Sequence, residues 1–251
     1  AGMEAAQAAA QKGHRVTLVE RTGALGGQLG LAAGFTSKPE CGRLLNYYRN
    51  ALARFAVDVI LNTEADARFL EDFSADRLII ATGAVPRPLA GIATAANVRI
   101  FQALEILERR TALCGDVVVV GGGLLGMDTA EFLSAGADQV TVLEAGRRVG
   151  RSLEWNVHGM RLKALNSYGV RTVEQAALVR LERGRAVYCD QAGVEHTQAA
   201  DAVVLALGLV PHNPFGDTAA GLASGITLIG DCAQPAGITA AISQGRLAGS
   251  V

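Results

Sequence analysis

The sequence predicts an α/β protein with parallel sheets. Three observations carry that prediction. Apolar runs of strand length alternate with helical stretches along the chain. One helix–strand unit occurs twice: residues 2–20 align without a gap on 126–144, Gly2-Met3-Glu4 answering Gly126-Met127-Asp128 and Val16–Glu20 answering Val140–Glu144. Finally, half of the residues are hydrophobic but only 5% are aromatic, so Ala, Val, Leu and Ile must fill the core, as they do in parallel strands buried under helices.

Composition removes several classes of function. A net charge of −1 argues against a nucleic-acid or anionic-membrane partner. No apolar run approaches the roughly 20 residues that cross a bilayer. The opening AGMEAAQAAAQKG lacks the basic start and long apolar block of a signal peptide. Cys41, Cys114, Cys189 and Cys232 are far apart and form no Cys-x-x-Cys. That spacing excludes a local redox dithiol, zinc site or iron–sulfur site of paired cysteines. Reduced, mostly buried thiols in a cytoplasmic protein are expected.

The elements follow in order. An Ala-rich helix from Gly2 stops at Lys12-Gly13 and leads to a strand ending at Glu20. A Gly-rich loop, 23–29, comes next. Residues 40–56 read as an amphipathic helix with Leu44, Leu45, Tyr48, Leu52 and Phe55 on one face. Val57–Leu61 is a strand, and Arg77–Ala84 a buried strand running into a turn before Pro86 and Pro88. A short helix near 101–109 precedes a complete β-α-β: strand Val117–Val120, turn Gly121–Gly126, helix to about Ala135, strand Val140–Glu144. Helix 156–167 leads to strand Val170–Val173. A β-meander is expected next, from Leu178–Glu182, Ala186–Asp190 and a long strand Ala202–Leu207 that runs into Gly208. Strand Ile226–Ile229, the turn Gly230-Asp231 and a helix from about Ile238 to Gly249 complete the chain.

Gly121-x-Gly123-x-x-Gly126 is the strongest motif, because a strand precedes it, a helix follows and Glu144 ends the next strand. In such a Rossmann-like unit the first Gly permits the tight turn, the second lets the backbone approach a pyrophosphate and the third lets helix and strand pack closely. The helix N-terminus offers oriented N–H groups to the phosphates. Glu144 can accept hydrogen bonds from both hydroxyls of an adenosine ribose and would repel a 2′-phosphate, which favours NADH over NADPH. Arg147 and Arg148 stand just past the acid, where an arginine could bind that phosphate. The first copy keeps only Gly2 and Glu20 of this set, with a single alanine before Gly2, and Glu20 should again hold an adenosine ribose. The beheaded repeat suggests that the chain is a piece of something longer.

Other features are weaker alone. Gly26-Gly27-Gln28 is either a surface loop or a place where backbone passes a flat ligand. Thr82-Gly83 and Gly230-Asp231 end strands, where ligands gather in open α/β sheets. Asp231 is an acceptor suited to a ribityl hydroxyl. The four histidines are scattered without ligand spacing, no serine stands in a nucleophile elbow, and Met3, Met127 and Trp155 read as packing or interface residues. No general acid–base pair presents itself, so any hydride chemistry belongs to cofactors that the protein orients.

Taken in order, GHRVTLVE…GALGGQL, LIIATGAVPRP, GGGLLG…VTVLE, DAVVLALGLVPHN and TLIGDC resemble the flavoprotein fold with two dinucleotide-binding domains. With the GGQL loop, the following LAAG and no Cys-x-x-Cys, the chain looks like the C-terminal module of the NADH:flavin oxidoreductases of the old yellow enzyme class, 2,4-dienoyl-CoA reductase and trimethylamine dehydrogenase among them. The resemblance implies two Rossmann-like domains, the second inserted in the first, plus the β-meander. It implies an FAD (or ADP)-binding domain at 1–111 and 211–251 and an NAD(P)-binding domain at 112–210. Gly2, Glu20, Gly27, Gln28, Thr82, Gly83 and Asp231 would serve FAD (or ADP); Gly121, Gly123, Gly126 and Glu144 would hold NADH, and Gly208 is a further cofactor-binding position. FMN and a 4Fe–4S cluster would sit on an upstream barrel domain outside this chain. A homo-oligomer is compatible with this reading.

The expected function is therefore a module passing hydride from NADH to FAD and onward to that domain, with no substrate turnover by this chain alone. Two rivals stay open: a non-redox ADP-binding module of an amine dehydrogenase, and a ferredoxin-reductase-like enzyme.

Overall fold

The computed structural model describes residues 1–73, 75–216 and 225–251. Along the chain come α1 (Gly2–Gln11), β1 (Thr17–Val19), α2 (Gln28–Ala32), α3 (Pro39–Arg54), β2 (Asp58–Ile60), α4 (Ala67–Phe73), β3 (Arg77–Ile80) and β4 (Ala84–Pro86). They are followed by β5 (Ala93–Thr94), β6 (Ile100–Gln102), α5 (Ala103–Arg109), β7 (Asp116–Val120), α6 (Leu124–Leu133), β8 (Gln139–Glu144), α7 (Trp155–Ser167) and β9 (Arg171–Glu174). Last are β10 (Ala177–Glu182), β11 (Arg185–Cys189), β12 (Glu195–Ala199), β13 (Ala202–Leu205), β14 (Leu209–Pro211), β15 (Gly225–Leu228) and α8 (Gly237–Gly249).

Two compact units result, one of Ala1–Val85 with Leu209–Val251, the other of Pro86–Gly208. The sequence placed the first boundary at 111/112. In the structure 86–111 goes with the second unit, because β5 pairs with β10 and β6 pairs with β13.

The second unit is built on a parallel sheet in the order β6-β13-β7-β8-β9. Its central strands β7 (Asp116–Val120) and β13 (Ala202–Leu205) read as nearly unbroken aliphatic runs because both faces are covered. Val117 and Val119 face a cluster with Ile106, Met127, Leu133 and Leu165 of the helices. Val118 and Val120 face Leu181, Ala186 and Tyr188 of the antiparallel β10-β11-β12. Burying each such valine contributes about 1.5–3 kcal/mol.

The meander differs from the expectation at its last strand. β13 is not part of it: it lies between β6 and β7 in the parallel sheet, and the third meander strand is β12. The sequence Glu195-His196-Thr197-Gln198-Ala199 gives no apolar alternation because it is almost wholly exposed. Cross-strand contacts hold it instead. His196 stacks on Tyr188 with ring centroids 5.4 Å apart, and Arg180 bonds Glu195 at 2.7 Å.

The first unit pairs β1 with β2 and β3 with β15, both parallel. The face predicted for α3 is largely the buried one, with Leu45, Tyr48 and Leu52 inside alongside Cys41 and Ala51. The Tyr48 hydroxyl donates to Glu4 Oε2 at 2.9 Å, and burial, reinforced by that carboxylate, pushes the phenol's pKa upward. Helices α1 and α8 approach closely, since a Cβ on Gly249 would stand 2.3 Å from Ala5 O. The short helices α2 and α4 were not read from the sequence: α2 buries no residue and α4 is too short to show a period. Among the described residues no helix is long and apolar enough to cross a membrane, and no cluster of His, Cys, Asp and Glu is arranged to hold a metal.

Candidate nucleotide-binding sites

In the second unit the three motif glycines stand in three different environments. Gly121 follows β7 at φ +105°, a conformation open to glycine, and a Cβ there would stand 2.3 Å from Ala206 O. A Cβ on Gly126 would come 1.9 Å from Gly121 O, so this position lets α6 seat against the turn. Gly123 is the reverse case: it caps α6, and a Cβ there would meet nothing within 4 Å. Its backbone therefore faces open space at a helix N-terminus, a cradle that suits a pyrophosphate.

Glu144 is tied into the same turn. Gly122 N–H donates to Glu144 Oε2 and Gly146 N–H to Glu144 Oε1, both at 2.6 Å. Each oxygen keeps a further acceptor position for a ribose hydroxyl. Between them lies a cavity of about 340 Å³ lined by Gly122, Gly123, Glu144, Arg148, Arg151 and Ser152. Its size and donor set fit the adenosine and phosphate part of a dinucleotide. Gly208 follows β13 at φ +88° with open space around it, and its carbonyl accepts the Arg87 N–H at 3.0 Å.

The first unit repeats part of this geometry. Thr22 N–H and Oγ1–H both donate to Glu20 Oε1 at 2.8 Å. Thr22 occupies the repeat position of Gly146, so both acids fold the chain back on themselves two residues on. The parallel register sets Ile80 beside Leu228, which brings Thr82-Gly83 and Gly230-Asp231 to the same strand ends. Gly2 is close by, since a Cβ on it would stand 3.3 Å from Ala81 Cβ. Gln28 Nε2 donates to Asp231 Oδ2 at 3.3 Å, and Gly27 at φ +50° caps α2 beneath it. Thr82 Oγ1–H donates to His212 O, whose own N–H returns to Gly83 O at 3.0 Å. Gly83 is open around its Cα at φ +76°. An exposed amide and carboxylate beside bare glycine backbone fit the polar edges of a flavin nucleotide.

A family profile described as pyridine nucleotide-disulphide oxidoreductase matches residues 1–245. The chain belongs to the pyridine nucleotide-disulphide oxidoreductase family. It is 32% identical over 254 residues to a bilirubin reductase of Mediterraneibacter gnavus, covering all of this chain and 39% of that protein. An NADH oxidase of Thermoanaerobacter brockii is also 32% identical, over 98% of this chain and 38% of its own length. Among solved structures, a 2-naphthoyl-CoA reductase complex superposes with a TM-score of 0.92 at 26% identity, covering 98% of this chain and 37% of that one. The chain thus spans about two fifths of the length of these relatives. Membership makes it an oxidoreductase domain of the NAD(P)H- and flavin-dependent kind, as the resemblance implied.

Around this turn the structure gathers Gly121, Gly123, Gly126 and Glu144, which the motif named, with four neighbours it did not name. Gly122 is the clearest: a Cβ there would stand 2.8 Å from Val149 Cγ2 and 3.1 Å from Glu144 Oε2. The run of three glycines carried that signal. Gly146 is needed for the same acid, as its Cβ would meet Glu144 Oε1 at 2.7 Å. Arg151 and Ser152 had no pattern to reveal them. Trp155 is 77% exposed, so a core role is excluded, and it sits under Arg148. Of the thiols, Cys41 and Cys232 are buried while Cys114 is exposed.

Proposed function

We propose that the chain is an electron-entry module, with NADH bound around Glu144 and FAD around Glu20. When both are bound, the nicotinamide supplies a hydride and the flavin accepts it. The protein's own part is to bind and orient. Glu144 fixes the adenosine ribose through the two oxygens already positioned by Gly122 and Gly146. Gly123 and the start of α6 present N–H groups to the pyrophosphate. Glu20 takes the adenosine ribose of FAD, while Gln28, Thr82, Gly83 and Asp231 line the polar side of the flavin nucleotide and Gly2 allows close passage of its phosphates. Gly208 keeps the strand end beside the glycine turn open.

The observation that carries this reading is the pairing of Glu144 with a glycine turn whose middle backbone stands open. The greater length of the relatives supports a further domain in the parent protein, where FMN and a 4Fe–4S cluster would receive the electrons. Denaturing the full-length protein and identifying the released nucleotide tests the first site. FAD is expected; ADP alone would replace the electron-entry reading with a non-redox nucleotide module.

A further inference from the structure

Asp231 stands on a turn that is fixed from several sides. Gly230–Cys232 form a single 3-10 turn after β15. Gly230 is buried at φ +66°, and a Cβ on it would stand 2.6 Å from Ala1 Cβ, so the position requires glycine. Its carbonyl accepts the N–H groups of Ala233 and Gln234, each at 3.0 Å. The Cys232 thiol lies 3.0 Å from Ile80 O and 3.1 Å from Ile229 O, which ties the turn to the ends of β3 and β15. That leaves the Gly230 N–H, a donor in a buried turn that needs an acceptor of its own.

The acceptor is a side chain of α8. Gly230 N–H donates to Gln244 Oε1 at 2.6 Å. The helix is seated closely at that point, since a Cβ on Gly245 would stand 2.5 Å from Ala1 O and 3.0 Å from Glu4 Cβ. Arg246, next along, lies 3.4 Å from the Glu4 carboxylate. The carboxamide of Gln244 therefore leaves a fixed backbone. Helix α8 also reaches the turn from its N-terminal end, where Ala236 N–H donates to Asp231 Oδ1 at 3.3 Å. Gln28 Nε2 donates to Asp231 Oδ2, also at 3.3 Å. Both bonds to the carboxylate are long, and each oxygen keeps a further acceptor position. The short bond stands behind the acid, on Gly230, so the aim of Asp231 is set by the backbone that Gln244 holds.

We infer that Gln244 is a positioning residue of the flavin nucleotide site: its carboxamide oxygen fixes the Gly230 peptide and so aims the Asp231 carboxylate at a ribityl hydroxyl of FAD. The adenosine end of the nucleotide is assigned to Glu20, just past β1, and makes no use of this turn. Without an acceptor at 244 the buried Gly230 N–H loses its partner and the turn shifts to find another. The ribityl contact then weakens while the adenosine contact stays. This rests on the flavin reading of the first unit, and the two can fail separately.

The test is titration of the full-length protein, stripped of bound nucleotide, with FAD and with ADP, which lacks the ribityl chain. In the wild type FAD should bind more tightly than ADP. Gln244→Leu should weaken FAD binding by about tenfold, as loss of the acceptor of a buried donor predicts, and leave ADP within about twofold. Gln244→Glu keeps an oxygen at the same reach and should hold FAD binding within about threefold of the wild type. Added to Asp231→Ala, Gln244→Leu should weaken FAD no further, because it acts through that carboxylate. If the leucine variant does not fold, Gln244→Ser carries the same test, its hydroxyl being too short to reach Gly230. Equal weakening of FAD and ADP, or full additivity with Asp231→Ala, overturns the inference alone. A wild type that binds ADP and no FAD removes the flavin site and the inference with it.

Discussion

Glu144 and Gly122 are one device: the Gly122 N–H donates to Glu144 Oε2 at 2.6 Å, so the acid ending β8 helps to shape the glycine turn beside it. Glu20 shares the second half of that device, accepting from Thr22 as Glu144 accepts from Gly146.

Replacing the acid should therefore affect binding more than folding. Glu144→Gln keeps one acceptor but loses the charge that strengthens two short hydrogen bonds. It should weaken ADP-ribose binding by about tenfold, and Glu144→Ala by about a hundredfold, from ~1.5–3 kcal/mol per charged hydrogen bond. Titration of both variants, with melting curves as controls, checks this.

Two glycines of one motif should behave oppositely. Gly126→Ala drives a Cβ against Gly121 O and should cost about 3 kcal/mol, lowering the melting temperature by roughly 6–12 °C. Gly123→Ala meets no neighbour, so it should melt like the wild type yet bind pyrophosphate-containing ligands less well.

Much of this was legible in the chain. The valine run of β7, the apolar β8 and the acid that ends it announced a covered parallel sheet and the edge at which the nucleotide is proposed to bind. The gap-free repeat at 2–20 and 126–144 placed Glu20 and Glu144 in equivalent positions. Where reading failed, the residues act through backbone or charge. Gly122 and Gly146 matter for what a Cβ would strike, and Arg151 and Ser152 reach the cavity from a loop with no period. β12 was missed because ion pairs and a ring stack, rather than apolar alternation, keep it in place.

Arg161 bonds Asp128 and Glu131 at 2.6 Å each, linking α7 to α6 in a nearly buried cluster. Arg161→Ala leaves two carboxylates without this partner and should destabilise the protein by about 3–5 kcal/mol. Urea denaturation gives the value; a loss below about 1 kcal/mol would show that water or neighbouring groups screen the cluster.

Glu182 is held below the ordinary carboxylate range chiefly by its hydrogen bond to Arg180, then by that to Arg185. A depressed folded-state pKa stabilises above the unfolded value and loses that effect as pH falls through the folded one. Wild type should exceed Glu182→Gln in stability at neutral pH, and the difference should vanish in acid. A constant difference across that range would assign the effect to packing.

The central claim is that one chain binds a nicotinamide donor and a flavin acceptor. It is tested most directly by anaerobic titration of the FAD-loaded protein with NADH, following the flavin's visible absorbance. The account predicts stoichiometric bleaching that Glu144→Ala shifts to higher NADH concentration. An unbleached flavin in protein shown to bind both nucleotides would contradict it.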